Sequence, residues 1–259
     1  MKTVPLWDLI ADIVPRSKVL VLLDYDGTVV PIRARPGLAL LGANRRETLS
    51  LMHGANLQLA MVSGRSVSNL RERVGLDHIG YCGVFGLEAH FPGWSYLHSA
   101  AKALRPAVAG LTKTLQDLYK DMPGVLIEDK TAGLTLHYRN VPRKLHPEFS
   151  RLLAKAKEMS PPGLHWSRGK AAWEVIPKTS WDKGKTALKI WRRLGRPYLL
   201  AIGDDDLDEP MLRVAQARGA GIRVGNSAHT GAGHRLRNSA EVHRFLRALI
   251  ANRVQGSKR

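Results

Sequence analysis

Two aspartates stand one residue apart at the exit of the apolar run VLVLLDYDGT, Asp24 and Asp26. Residues two apart on an extended chain project to the same side, so their charges repel unless something positive lies between them. Mg2+ is a hard cation that takes oxygen ligands and would offset that repulsion. A carboxylate held beside a bound phosphate can act as a nucleophile and form an aspartyl-phosphate. The second carboxylate, one pleat further on, can protonate a leaving alcohol and later activate water. Gly27 permits a sharp turn after the pair, and Thr28 adds a hydroxyl where the chain leaves the strand. An Asx turn closing a strand would use one aspartate and gives no reason for two.

Three further stretches carry chemistry. In IGDDDLDEPM, Asp204 and Asp205 can complete a Mg2+ site begun on a neighbouring strand. Asp208 and Glu209 precede Pro210 and suit a helix N-terminus equally well. This is no EF-hand loop, because Glu209 occupies the sixth position, where that loop needs glycine. In MVSGRS, Ser63 ends an apolar run just before a helix, where a hydroxyl and free N–H groups form an anion site or an N-cap. Met61 in the first glycine position excludes a Gly-x-Ser-x-Gly nucleophile elbow. DKGKTALK ends like a nucleotide P-loop, but Thr179 stands where the first glycine belongs. What remains is Lys183 ahead of a helix, a cation able to neutralise phosphate and steady a nucleophile.

These residues need a scaffold that brings distant strand ends together. VLVLLDYDGT, LQLAMVSGRS, PYLLAIGDDD and GAGIRVGNS are short apolar runs without alternation, which predicts buried parallel strands. Helical spacing of Val67, Leu70 and Val74 after VSGRS fits a βαβ unit, and so an α/β doubly wound, Rossmann-like sheet with ligands beyond the carboxyl ends of its strands. The middle of the chain differs. A helix is expected to begin near Pro106, with Val108, Leu111, Leu115 and Leu118 on one face. A hairpin over GVLIEDKTAGLTLHYR, a helix over HPEFSRLLAKAKEM and a second hairpin over LHWSRGKAAWEVIP follow. This predicts an α+β insertion over residues 99–177 within a core of 1–98 and 178–259.

Bulk properties narrow the function. The chain has 259 residues, 44% apolar and 24% charged, as in ordinary globular proteins. No apolar run approaches the roughly 20 residues needed to cross a bilayer, and the N-terminal stretch lacks a signal-peptide core, so neither membrane nor export is expected. Cys82 alone can form neither an intramolecular disulfide nor a cysteine zinc cluster, which fits a cytoplasmic protein. The charge is unusual, with 40 Lys and Arg against 22 Asp and Glu, formally +18. Such a field attracts polyanions. The basic residues are spread along the chain and rarely interleaved with aromatics, and no recognition-module motif is present, which weighs against nucleic acid as the partner. A small anionic substrate also gains on-rate from such a field.

In the order DYDGT, VSGR, DKG, GDD, the chain resembles the haloacid-dehalogenase superfamily of phosphatases. More closely, LLDYDGTVVPI, VSGRS with a downstream GLE, LTLHYR, GKAAWEVIPK, WDKGKTAL, IGDDDLDEPM and GIRVG resemble the trehalose-6-phosphate phosphatase family over nearly the whole length. The resemblance implies Asp24 as nucleophile and Asp26 as general acid/base. It implies Mg2+ on Asp24, the Asp26 carbonyl and Asp204, with Asp205 nearby, and phosphate on Ser63 and Lys183. It implies a mobile cap domain in the insertion, sugar contacts from Arg65 and Glu88, and others from Lys170 and Glu174, four apart in an expected cap strand. Phe85 stands where the family carries histidine, and Leu207 where it carries threonine. The reading is a Mg2+-dependent monoesterase acting on trehalose 6-phosphate, a small-molecule sugar phosphate, as a monomer or weak oligomer. Sucrose- or mannosylglycerate-type phosphates are the alternative substrates, and a basic nucleic-acid-binding protein on the same fold is the alternative class.

Overall fold

The computed structural model describes residues 6–33, 36–169 and 171–256, and the backbone divides into two compact units, Met1–Ser95 with Trp181–Arg259, and Tyr96–Ser180. The first unit opens with α1 (Leu6–Ile13), β1 (Val19–Leu23), α2 (Ala43–Gly54), β2 (Leu57–Val62) and α3 (Val67–Val74). Strands β3 (Gly80–Gly83), β4 (Glu88–Phe91) and β5 (Trp94–Leu97) lead into the second unit. That unit holds α4 (Ser99–Leu118), β6 (Leu126–Asp129), β7 (Leu134–His137), α5 (His146–Glu158), β8 (Leu164–Gly169) and β9 (Ala172–Pro177). The chain returns through α6 (Lys183–Arg193), β10 (Tyr198–Gly203), α7 (Glu209–Gln216), β11 (Gly219–Val224), β12 (His234–Leu236) and α8 (Ser239–Gly256).

In the first unit the strands form an eight-stranded sheet in the order β12-β11-β10-β1-β2-β3-β4-β5. Pairing is parallel from β12 to β3 and antiparallel between β3 and β4. All five residues of β1 are inaccessible to solvent, so both faces are covered, and this is why the run shows no alternation. Val19, Val21 and Leu23 pack in one cluster with Leu9 and Ile13 of α1, Met52 of α2, Leu70 of α3 and Leu249 of α8. Leu20 and Leu22, outside that cluster, point to the other face. There α7 packs on β10 and β11, and α6 on α7. Register then fixes the site: Leu23 lies level with Met61 and with Ile202. The residues that follow, Asp24, Ser63 and Asp204, therefore leave the sheet at one edge.

The GYCG strand β3, flanked by glycines, carries no periodic signal and was not anticipated, nor were β4, β5 and β12. In the second unit an antiparallel sheet, β6-β7-β9-β8, packs Leu134, Leu136 and Val175 against Val108, Leu111 and Leu115 of α4 and Phe149, Leu153 and Ala156 of α5. Helix α4 begins at Ser99 rather than near Pro106, because the His98 imidazole accepts from the Ala100 N–H (3.2 Å) and caps the helix there. Pro106 lies inside the helix on its exposed side, where the Lys102 carbonyl it leaves unpaired can face water.

Candidate active site

Asp24 follows β1 directly and is almost fully buried. Its Oδ1 accepts a hydrogen bond from Lys183 Nζ at 2.8 Å, and the same ammonium donates to Asp208 Oδ1. Asp208 is inaccessible to solvent, and its Oδ2 accepts from the backbone N–H groups of Asp204 (3.0 Å) and Asp205 (2.9 Å). Carboxylate oxygens of Asp24, Asp204 and Asp208 all lie within 4.8 Å of one another. Gly27 makes room for this. Its φ of +88° is left-handed, and a Cβ there would sit 2.1 Å from Asp204 Oδ2. Lys183 occupies the first position of α6, after Asp182 caps the helix by accepting from the Lys185 N–H. Helix α6 comes so close to α7 that a Cβ at Gly184 would meet the Pro210 carbonyl oxygen at 2.7 Å.

Burial pushes the Asp24 carboxyl well above its ordinary value of 3.8; Lys183 draws it back down, while Asp208 and Asp204 add to the rise. Burial would by itself lower the Lys183 ammonium, but Asp208 and Asp24 overcome it and hold the group above its ordinary 10.5. Three carboxylates stand around one lysine ammonium, with Asp24 and Asp208 buried and Asp204 half-buried. All the donors are hard oxygens. The set suits a divalent cation of the Mg2+ type.

Asp26 faces Arg65, whose Nε donates to Oδ2 (2.6 Å) and Nη2 to Oδ1 (2.8 Å), while Nη1 holds Asn69 Oδ1 (2.9 Å). This fork fixes the plane of the carboxylate. Ser63 is buried, and its Oγ accepts from the Arg65 N–H. Ser66, not Ser63, caps α3, accepting from the Asn69 N–H. Glu88 accepts from the Val67 N–H at 2.7 Å, so its carboxylate also sits at the start of α3. Phe85 has a left-handed φ of 57°, and its ring packs against Gly64 in the Ser63 loop.

Asp205 turns away from the carboxylate cluster and caps the following turn, accepting from the Leu207 N–H. Asp208 carries the weight that the spacing left open between helix start and metal site: it positions Lys183 and closes the loop. Arg223, buried within β11, was not anticipated. It donates to Glu209 Oε1 (2.9 Å), to the Asp205 carbonyl (2.9 Å) and to Asp206 Oδ1 (3.1 Å), pinning the acidic loop from behind. A charged residue inside the apolar run GAGIRVG is the signal that could have found it, because a buried cation needs a carboxylate partner. In the second unit, Glu174 of β9 accepts from Lys130 Nζ (2.9 Å) and Thr135 Oγ1 (2.8 Å). Lys170 lies outside the described residues. Cys82 is buried, with its thiol pushed up by burial, and is no nucleophile.

Comparison with known proteins agrees with this geometry. Residues 22–240 match the protein family described as Trehalose-phosphatase. Trehalose-phosphate phosphatase B of Arabidopsis thaliana is 28% identical over 262 residues, covering 95% of this chain and 70% of that protein. Trehalose-phosphate phosphatase of Mycobacterium bovis (strain BCG / Pasteur 1173P2) is 33% identical over 221 residues, 83% of this chain and 55% of that longer protein. Among solved structures, the C. albicans trehalose-6-phosphate phosphatase C-terminal domain superposes with a TM-score of 0.75 at 22% identity, covering 96% of this chain and 97% of that one. A haloacid dehalogenase-like hydrolase from Bacteroides thetaiotaomicron gives 0.58 at 16% identity, covering 90% and 99%, and shares the fold. With the match spanning most of its length and the carboxylates grouped at one sheet edge, the chain belongs to the trehalose-phosphatase family, phosphoric monoester hydrolases on the haloacid-dehalogenase fold.

Proposed function

We propose that this chain hydrolyses trehalose 6-phosphate by nucleophilic attack of Asp24, with Asp26 as general acid and then general base. The observation that carries the reading is the buried Asp24 carboxylate, hydrogen-bonded to Lys183 and grouped with Asp204 and Asp208. Asp24 attacks phosphorus and forms an aspartyl-phosphate, and Asp26 gives its proton to the departing sugar oxygen. Water then attacks the phosphoryl group, with Asp26 taking its proton, and Asp24 is released. Ser63 and Lys183 hold the phosphate oxygens. Asp24 and Asp204 would hold Mg2+, which would neutralise charge on the phosphoryl oxygens. Asp26 would offer its backbone carbonyl to the same ion, and Asp205 lies one residue from Asp204.

Arg65 spans two duties in this reading: it orients Asp26 through its fork and is assigned to the sugar. Glu88 is the second core residue assigned to the sugar. Lys170 and Glu174 belong to the second unit, which takes the role of cap, and they contribute the remaining sugar contacts. The test is phosphate release from trehalose 6-phosphate, sucrose 6-phosphate and mannosylglycerate phosphate, with Mg2+ and with excess chelator, for wild type and Asp24→Asn. Turnover strongest on trehalose 6-phosphate and lost in both the chelated and the Asp24→Asn samples is the expected result. Full activity in Asp24→Asn would overturn the mechanism, and preference for another sugar would overturn the substrate.

A further inference from the structure

The catalytic edge uses little of the positive charge of the chain. Four basic residues gather elsewhere, at the opposite end of the same sheet. The segments entering β1, β10 and β11, together with the end of α6, border an open groove of about 780 Å3. Lys18 precedes β1 and Asp24 follows it, so at 3.3 Å per residue the two ends lie about 20 Å apart. Arg16, Lys18, Arg196 and Arg218 line the groove together with Trp191 and Tyr198.

Its three arginines lie against aromatic rings. The Arg218 guanidinium sits 4.9 Å from the centre of the Trp191 ring and that of Arg196 at 5.8 Å, while Arg16 lies 5.1 Å from the Tyr198 ring. Only Arg16 has an acidic partner, Asp12, which also accepts from the Tyr198 hydroxyl. Among the described residues, Lys18, Arg196 and Arg218 form no ion pair, and Arg218 Nε is buried without a hydrogen-bond partner. The walls are fastened. Trp191 donates to the Pro197 carbonyl at 2.7 Å, and Arg253 ties down the carbonyls of Ile13 and Arg16, each at 2.9 Å. Arg196 itself adopts a left-handed φ of 58°, a conformation a side chain other than glycine keeps only where its surroundings impose it.

We propose that this groove is a second ligand site, separate from the catalytic centre, for an oligophosphate: a chain of two or more phosphoryl groups, free or as the tail of a nucleoside polyphosphate. Planar guanidiniums seated against rings can offer N–H groups to phosphate oxygens. Three uncompensated cations converging on one groove exceed what a single phosphate neutralises. With two guanidiniums beside the Trp191 ring and one beside that of Tyr198, recognition runs through charge.

The test titrates sodium tripolyphosphate into the 259-residue chain without Mg2+, followed by calorimetry and tryptophan fluorescence. Wild type binds one equivalent. Lys18→Gln/Arg196→Gln, both exposed and so safe for folding, weakens binding by at least about tenfold, as expected when a charge-assisted hydrogen bond is lost. Its hydrolysis of trehalose 6-phosphate, measured without tripolyphosphate, stays within about twofold of wild type. Adenosine triphosphate binding as tightly as tripolyphosphate assigns recognition to the phosphate chain alone, and tighter binding adds a nucleoside contact. The proposal is overturned by absent binding in wild type, by equal affinity in the double variant, or by a fluorescence change that survives Trp191→Phe. A single-stranded oligonucleotide that binds more tightly than tripolyphosphate, and is lost in the double variant, would replace the oligophosphate with nucleic acid.

Discussion

Asp24 and Asp26 are a pair in the sequence, yet their surroundings separate them. Asp24 is buried beside an ammonium and two carboxylates, while Asp26 is gripped by a guanidinium fork at the pocket rim. Near pH 3.8 the unfolded Asp24 begins to lose its proton, but the folded carboxyl, raised by burial, keeps it to higher pH. Across that window the native state binds more protons than the unfolded chain, so stability falls as pH rises. In chelator, the urea midpoint of wild type should therefore decline from pH 4 upward, and Asp24→Asn should flatten that decline while lowering turnover by at least about 10^3-fold. Arg65 gives a second prediction. Arg65→Ala should lower kcat roughly tenfold with KM nearly unchanged, because the fork orients the acid. A large rise in KM with kcat preserved would assign the arginine to the sugar alone. The DxD spacing, the serine and the lysine were legible in the sequence because their chemistry depends on residue type. That Asp208, rather than Asp205, joins the cluster was not, since both are aspartates in one acidic run and only the turn after β10 decides which points inward.

At the scale of elements, the site depends on two loops held from behind. Arg223 in β11 fastens the acidic loop through Glu209, and both are buried. Arg223→Met should cost about 3–5 kcal/mol in a urea titration by taking the nearest cation from the buried Glu209 carboxylate, which keeps the Gly231 N–H, and Glu209→Gln in the same chain should restore part of it. The contact of α6 with α7 positions Lys183. Gly184→Val would drive a side chain into the Pro210 carbonyl and should destabilise by roughly 1–3 kcal/mol, lowering turnover with it. The apolar runs of β1, β2, β10 and β11 were readable because strands covered on both faces need continuous hydrophobic residues. The strands β3 to β5 were not, because β3 is half glycine and the half-exposed positions of β4 and β5 blur any period. The start of α4 was misplaced because proline marks a first turn by propensity, whereas the His98 cap sets the true start.

For the whole molecule, the two units have separate apolar cores. The core of the second draws on residues from Val108 to Val175 alone. Expressed as residues 96–180, it should fold with a single cooperative transition in circular dichroism. A fragment lacking one would show that its core depends on the rest of the chain. Mg2+ at 100 times its dissociation constant should stabilise the intact protein by about 2.7 kcal/mol, raising Tm by roughly 5–10 °C, and Asp204→Asn should abolish the shift. Among the described residues no helix is long and apolar enough to cross a membrane.

The sequence by itself determined the candidate reacting groups, the buried strands that carry them and the family, because each is written in residue type and local spacing. Only the tertiary structure decided the partners. Parallel register brought Asp24 level with residues almost 180 positions away, α6 delivered Lys183 between two carboxylates, and the loop after β10 chose Asp208 over Asp205. Three strand entries and the end of α6, distant in sequence, gathered scattered arginines into one basic groove. Those outcomes depend on which distant segments pack together, and packing is settled by the burial of whole faces rather than by any short run of residues.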